Sequence, residues 1–257
     1  MEELFTTENS RLAALVHGDP NEIHKNNRFG KIIAPGLMQL QGFISMFGWK
    51  EDHLLEVILK KPVVVPNLKL DYYMIEEGTC VLKDENEVYS EARLIPAQSM
   101  PNLSKGSTAY KYSFTEEDLI LNDSDWESYN LIPINSVKRI MPKAKTEILY
   151  NAAAVGVSAN ALVRMLKEDS SILPDLFFPV ARENGKNACL EDKLCLYMGS
   201  SSSFEKYKEL LLEASPIRQN IENERGIIGT ISESSGLYTL EIYLTKIPLK
   251  VLNRMLR

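Results

Sequence analysis

The most constraining stretch of the chain is residues 13 to 36, where an acid, Asp19, and an imidazole, His24, stand five positions apart around a proline. On an α-helix, positions i and i+5 are rotated by about 140° from each other, so these side chains cannot share a helix face and meet only if the segment bends. Pro20 supplies the bend: it disfavours the α region at Asp19 and cannot continue a helix arriving through Leu12 and Leu15. Asp19, Pro20 and Glu22 also read as an N-cap, a first-position proline and a capping-box acid, which would hold the turn in shape. Further on, Pro35-Gly36 precedes Leu37, Leu40, Ile44 and Phe47 at helical spacing, so Gly36 is the expected helix entrance. Backbone N–H groups there lack intrahelical partners and carry the positive end of the helix dipole, which suits developing negative charge.

The order of residues in this stretch resembles the signature of the MaoC-like, (R)-specific enoyl-CoA hydratases and dehydratases, which have the hotdog fold. That pattern runs from an amphipathic helix through Gly-Asp-x-Asn-Pro-Ile-His to Phe-Gly-x-x-Ile-Ala-x-Gly. Here it reads Leu12-Ala13-Ala14-Leu15, then Gly18-Asp19-Pro20-Asn21-Glu22-Ile23-His24, then Phe29-Gly30 and Ile33-Ala34-Pro35-Gly36. Two positions depart: His17 stands where the family usually has Ser, and Glu22 where it usually has Pro. The resemblance implies that Asp19 and His24 are catalytic, that Gly36 N–H is an oxyanion donor and that Asn21 braces the turn. It implies reversible syn addition of water to a 2-enoyl thioester, giving an (R)-3-hydroxyacyl thioester, or the reverse dehydration, with the acyl group on CoA or an acyl carrier protein. Neither metal nor redox cofactor is needed, and none has a ligand cluster in the sequence. The alternatives are hotdog thioester hydrolysis, and a non-catalytic acyl-binding or partner subunit.

Composition narrows the rest. A chain of 257 residues, 44% hydrophobic and 25% charged, is long enough to bury a substantial core as one large domain or two small ones. A net charge of −6 argues against general nucleic-acid binding. No uninterrupted apolar run is expected to approach membrane-spanning length, and Met-Glu-Glu-Leu-Phe has neither the basic flank nor the apolar core of a signal peptide, so a cytoplasmic location is expected. Cys80, Cys189 and Cys195 lack C-x-x-C spacing and read as small buried apolar side chains. All three histidines, His17, His24 and His53, fall in the first quarter, so any imidazole chemistry belongs there. His53 reads as surface and His17 as lining the pocket. Lys25, Arg28, Lys31 and Lys50 fall in a stretch with no acid between Glu22 and Glu51, a candidate contact for CoA phosphates or an acidic carrier protein.

Taken in order, a helix is expected at 7–16 and another at about 37–48, then strands at 55–59, 68–75, 78–83 and 88–95. The Pro-, Ser- and Asn-rich segment 96–106 reads as a linker. Beyond it, Phe114-Thr115-x-Glu117 echoes Phe5-Thr6-x-Glu8, and Thr115 with Asp118 forms a capping box. A second apolar helix at about 152–166, an amphipathic helix at 204–214 and strands at 226–232 and 237–247 follow. The expected fold is therefore α+β, a double hotdog: residues 1–100 form a catalytic hotdog, and 101–257 a diverged one with no histidine. A homodimer of such chains is one expected assembly. With only Met1 to Phe5 ahead of the first helix, either another part of the chain is expected to fill the first strand's place in the sheet, or the first sheet is one strand short. The tail from Pro248 carries Leu249, Leu252 and Leu256 as an apolar stripe to pack on the other domain or a partner.

Overall fold

The computed structural model describes residues 4–19, 22–24, 31–67, 69–101, 103, 106–116, 130–142, 144–168, 187–200, 209–216, 218–219 and 226–255. The first half contains α1 (Thr7–His17), a single 3-10 turn (Glu22–His24), β1 (Ile32–Ile33), α2 (Gly36–Phe47), β2 (His53–Leu59), β3 (Val64–Val65), β4 (Asp71–Glu76), β5 (Thr79–Lys83) and β6 (Val88–Pro96). The second contains β7 (Thr108–Thr115), β8 (Leu131–Pro133), α3 (Ile134–Ile140), α4 (Thr146–Gly156), α5 (Ser158–Glu168), β9 (Asn187–Met198), β10 (Glu209–Ala214), β11 (Arg218–Gln219), β12 (Gly226–Glu233), β13 (Tyr238–Pro248) and α6 (Leu249–Met255).

Helix α1 starts where Thr6 Oγ1 accepts the Asn9 N–H at 3.0 Å, and its apolar face buries Leu12, Leu15 and Val16. It stops at Gly18, not at the proline. Gly18 adopts φ 64°, its N–H reaches Leu15 O at 3.0 Å, and the Asp19 N–H reaches Ala14 O at 2.9 Å. This is a Schellman closure, and it delivers Asp19 as the first residue past the helix with its backbone N–H already held. A β-carbon at Gly18 would also overlap the Asn160 side chain, which accepts a hydrogen bond from Tyr112 OH at 2.8 Å. Gly18→Ala is therefore expected to lower stability by at least about 1–2 kcal/mol, the cost of a left-handed L-residue, as urea unfolding would show.

Helix α2 is buried from Gly36 through Ile44 because β4, β5, β6 and α4 all pack against it. Tyr72 of β4 lies across it where Gly42 leaves room, and the Tyr72 hydroxyl donates to Gln39 O at 3.1 Å. Helix α4 packs against α2, tied by Gln41 Nε2 donating to Ala152 O at 2.9 Å. The main sheet runs β4-β5-β6-β2-β9-β13-β12-β10-β7-β8, with β11 on β12; β7 and β8 are parallel and every other neighbour is antiparallel. The halves share this sheet through β2 and β9, in register from His53↔Met198 to Ile58↔Lys193. A large, mostly antiparallel sheet with few helices fits a hotdog fold.

Several sequence expectations need correction. Residues 209–214 form strand β10, because Leu210, Leu212 and Ala214 alternate into the core with period two; residues 201–208 lie outside the described residues. The apolar helix expected at 152–166 is two helices, α4 and α5, meeting at Val157. The stretch Ile148–Met165 within them has the length and mean hydropathy, 1.2, of a bilayer-crossing segment, though Asn151, Ser158, Asn160 and Arg164 interrupt it, and 83% of it is buried inside the protein. The strand expected at 68–75 is β4, which begins at Asp71, and Asp118 of the expected capping box lies outside the described residues. Ahead of α1 there is no strand among the described residues; Phe5 is instead buried in the core, 6.2 Å from the Tyr72 ring. Leu252 of α6 packs on Ile23 and Ile33, on either side of His24 in sequence; the side chains of Leu249 and Leu256 lie outside the described residues. Cys80 and Cys195 are buried free thiols, and the Cys189 side chain is outside the described residues.

Candidate active site

Asp19 and His24 meet. After the Schellman closure the chain turns through the 3-10 segment, and His24 Nε2 comes to 3.2 Å from Asp19 Oδ2, with 9% of the histidine side chain and 20% of the aspartate side chain exposed. On the other edge of the ring, His24 Nδ1 lies 2.6 Å from Ile33 O. A carbonyl only accepts, so Nδ1 carries a proton, and the neutral ring presents the Nε2 lone pair to Asp19. Burial pulls the imidazole pKa down, but the Asp19 carboxylate, its hydrogen bond and the Ile33 carbonyl outweigh it and hold His24 above its usual 6.5. The pair thus favours imidazolium beside carboxylate to higher pH than a free ring would, across the 3.2 Å contact.

The pair opens into a cavity of about 350 Å³ lined also by Gly36, Gln39, Leu59, Lys60, Lys61 and Glu191. Gly36 begins α2 with no side-chain cap from Pro35. Its N–H is not free: it donates to the Glu191 carboxylate. This corrects the expectation that the helix entrance stands open, and it brings a third acid into the site from the second half of the chain. Burial and the Asp19 charge push Glu191 up to about 7, against the opposing pull of His24 and the Gly36 N–H.

Glu191 points inward because of a bulge. On β9, Leu194, Leu196 and Met198 face the core, so strict alternation would turn Asp192 in and Glu191 out. The register with β13 slips between Tyr243↔Lys193 and Leu244↔Glu191, which leaves Asp192 as the extra residue. That one-residue insertion swaps the parity and sets Glu191 opposite the buried Leu244. A β-carbon on Gly36 would overlap Glu191 Oε2 and sit 2.8 Å from Leu59 Cδ1, so the glycine is required by this close approach. Gly36→Ala is expected to cost about 1–3 kcal/mol as overpacking does, and thermal melting measures it.

Asn21, Lys25 and Arg28 lie outside the described residues, and Lys31 is exposed beside β1. Among the described residues, the lysines lining the cavity are Lys60 and Lys61, which the sequence reading does not single out; they pair with Glu91 at 2.7 Å and Glu87 at 2.5 Å. His17 does not line the cavity. It is fully buried, with Nε2 3.0 Å from Gln41 Oε1. Burial outweighs the Gln41 contact and the Asp19 charge, and it lowers His17 to about 4. His53, partly exposed at the start of β2, has Nδ1 2.8 Å from Glu51 O. Gln39, one turn into α2, is a buried cavity residue whose Oε1 has no hydrogen-bond partner among the described residues. Also among the described residues, no group of three or more His, Cys, Asp or Glu is arranged to hold a metal ion.

No protein-family model matches the chain, and no curated protein matches it. Among solved structures, a tesB protein of Mycobacterium avium subs paratuberculosis is similar over 86% of this chain and 89% of its own, at 8% identity and TM-score 0.45. The full-length peroxisomal multifunctional enzyme type 2 of Drosophila melanogaster is similar over 95% of this chain and 47% of its own, at 9% identity and TM-score 0.44. A trans-AT PKS dehydratase domain of Brevibacillus brevis is similar over 85% of this chain and 87% of its own, at 13% identity and TM-score 0.37.

Proposed function

We propose that the chain is a hydro-lyase acting on a 2-enoyl or (R)-3-hydroxyacyl thioester carried by CoA or an acyl carrier protein. We read its halves as two fused hotdogs, the first bearing the acid and imidazole. The observation that carries the activity is the 3.2 Å contact between Asp19 and His24 in one cavity with the N-terminus of α2. An α-proton beside a thioester is too weakly acidic to move unaided, so the reaction needs a proton carrier on one side and charge stabilisation on the other. In hydration, water adds its oxygen to C3 and gives its proton to the Asp19 carboxylate. His24 Nε2–H protonates C2 on the same face, which gives syn addition, and the Gly36 amide steadies the charge on the thioester oxygen between these events. Proton transfer from Asp19 back to Nε2 restores the pair. Dehydration runs the same steps in reverse.

The test is incubation with crotonyl-CoA, and with a crotonyl carrier protein, while enoyl absorbance and free thiol are followed together. Loss of enoyl absorbance without thiol release is expected. Thiol release with the double bond retained would mean hydrolysis. Neither signal on either carrier would leave an acyl-binding protein.

A further inference from the structure

The second half of the chain has no histidine and no acid–imidazole pair, yet it reaches into the cavity with Glu191. Resting on the hydro-lyase reading, we propose that Glu191 in its neutral form is the second hydrogen-bond donor to the thioester carbonyl, completing with Gly36 N–H a two-donor oxyanion site.

Three observations converge on this. Glu191 accepts from Gly36 N–H, so its carboxyl group occupies the place where a carbonyl oxygen would dock. The bulge at Asp192 breaks the regular register of β9 with β13 and sets Glu191 opposite Leu244, in the cavity lining. The glycine opposite is one whose side chain would collide with that same acid. A carbonyl oxygen entering this seat takes the Gly36 N–H and displaces the Glu191 oxygen by a rotamer change. An ionised Glu191 would then face the incoming oxygen with like charge, whereas a protonated one turns its O–H to it. The surroundings favour the protonated form. Asp19 faces it from the loop after α1, His24 from the 3-10 turn and Asp192 from its own strand, while Lys60 and Lys61, after β2, line the same cavity with Glu91 and Glu87 as their partners. A carboxylic acid held neutral by burial is a strong donor to a developing oxyanion. No net proton leaves Glu191: its O–H bond persists through the cycle and only its acceptor changes.

The experiment compares wild type, Glu191→Gln and Glu191→Ala in two readouts. In crotonyl-thioester hydration, Glu191→Gln keeps an N–H donor and is expected within about fivefold of wild-type kcat, while Glu191→Ala falls by roughly 10²–10³-fold, the usual loss for one oxyanion donor. Wild-type kcat is expected to decline above about pH 7 as Glu191 ionises, in addition to the fall that follows loss of the His24 proton; Glu191→Gln is expected to lose the first decline and keep the second. The second readout needs no turnover: infrared difference spectra of carbonyl-labelled butyryl-CoA bound to each protein. A lowered carbonyl stretch is expected in wild type and Glu191→Gln, and a smaller shift in Glu191→Ala. Faster turnover or tighter binding by Glu191→Ala would make Glu191 a plug and overturn the proposal. So would equal losses in both variants, or a wild-type spectrum with no shift. Absence of turnover in wild type with the carbonyl shift present would instead strike the hydro-lyase reading and leave the donor role standing.

Discussion

Asp19→Asn is expected to lower crotonyl-thioester hydration by roughly 10²–10⁴-fold, the usual contribution of a positioned acid or base, while the fold stays intact. The amide is nearly isosteric, and what anchors residue 19 is its backbone N–H on Ala14 O at 2.9 Å, which the substitution keeps. What is lost is the charge. The Asp19 carboxylate is the main influence holding the His24 imidazole above 6.5 against burial, so the variant's ring becomes neutral at lower pH. The alkaline fall of whatever turnover remains should therefore move to lower pH. His24→Ala is expected to cost about as much, and the double variant no more than either, because the two groups pass one proton between them and act as a unit. Circular dichroism and melting check the fold, and kcat against pH checks the chemistry. A single variant that kept more than a tenth of wild-type turnover would remove Asp19 and His24 from the reaction.

The second large effect is on stability and belongs to His17. Its ring is enclosed between α1 and α2, with Nε2 on Gln41 and Nδ1 buried without a partner among the described residues. The folded pKa of about 4 lies below the unfolded value of 6.5, so the native state binds fewer protons than the unfolded chain between these pH values. The stability is fully present above pH 6.5 and is lost as pH falls toward 4. At about 1.4 kcal/mol per unit, the full loss is about 3 kcal/mol. Glu191 works in the opposite direction: its folded pKa of about 7 lies above the ordinary carboxylate value, so its burial costs progressively less as pH falls from 7 toward 4.5. The difference between wild type and His17→Gln isolates the histidine, and urea unfolding from pH 7 to 4 is expected to show the wild type losing up to about 3 kcal/mol more than the variant. Parallel curves would mean that the imidazole is charged in the folded protein.

What could be read from the sequence was local. Asp19 and His24 are close in the chain, and a proline between them signals a bend; the structure closes the helix at Gly18, before Pro20 is reached. The entrance of α2 was equally plain, because Pro35-Gly36 precedes an uninterrupted helical period. Glu191 was hidden because its direction depends on a register slip against β13, a strand more than forty residues further on. One signal was present. Glu191, Asp192 and Lys193 are three charges in succession, and on a strand with alternating faces they cannot all reach solvent. Strand β10 was misjudged for a related reason: in Glu209-Leu210-Leu211-Leu212-Glu213-Ala214 the leucines satisfy either period, and pairing with β7 and β12 decides between them.

The ladder between β2 and β9 has a mechanical consequence. Six consecutive residue pairs, from His53↔Met198 to Ile58↔Lys193, join β2, whose last residue Leu59 lines the cavity, to β9, which carries Glu191. These two strands cannot swing apart without breaking that ladder. Adjustment of the cavity to a longer or bulkier guest must come from rotamers at its rim, and heating should melt both walls in a single cooperative step.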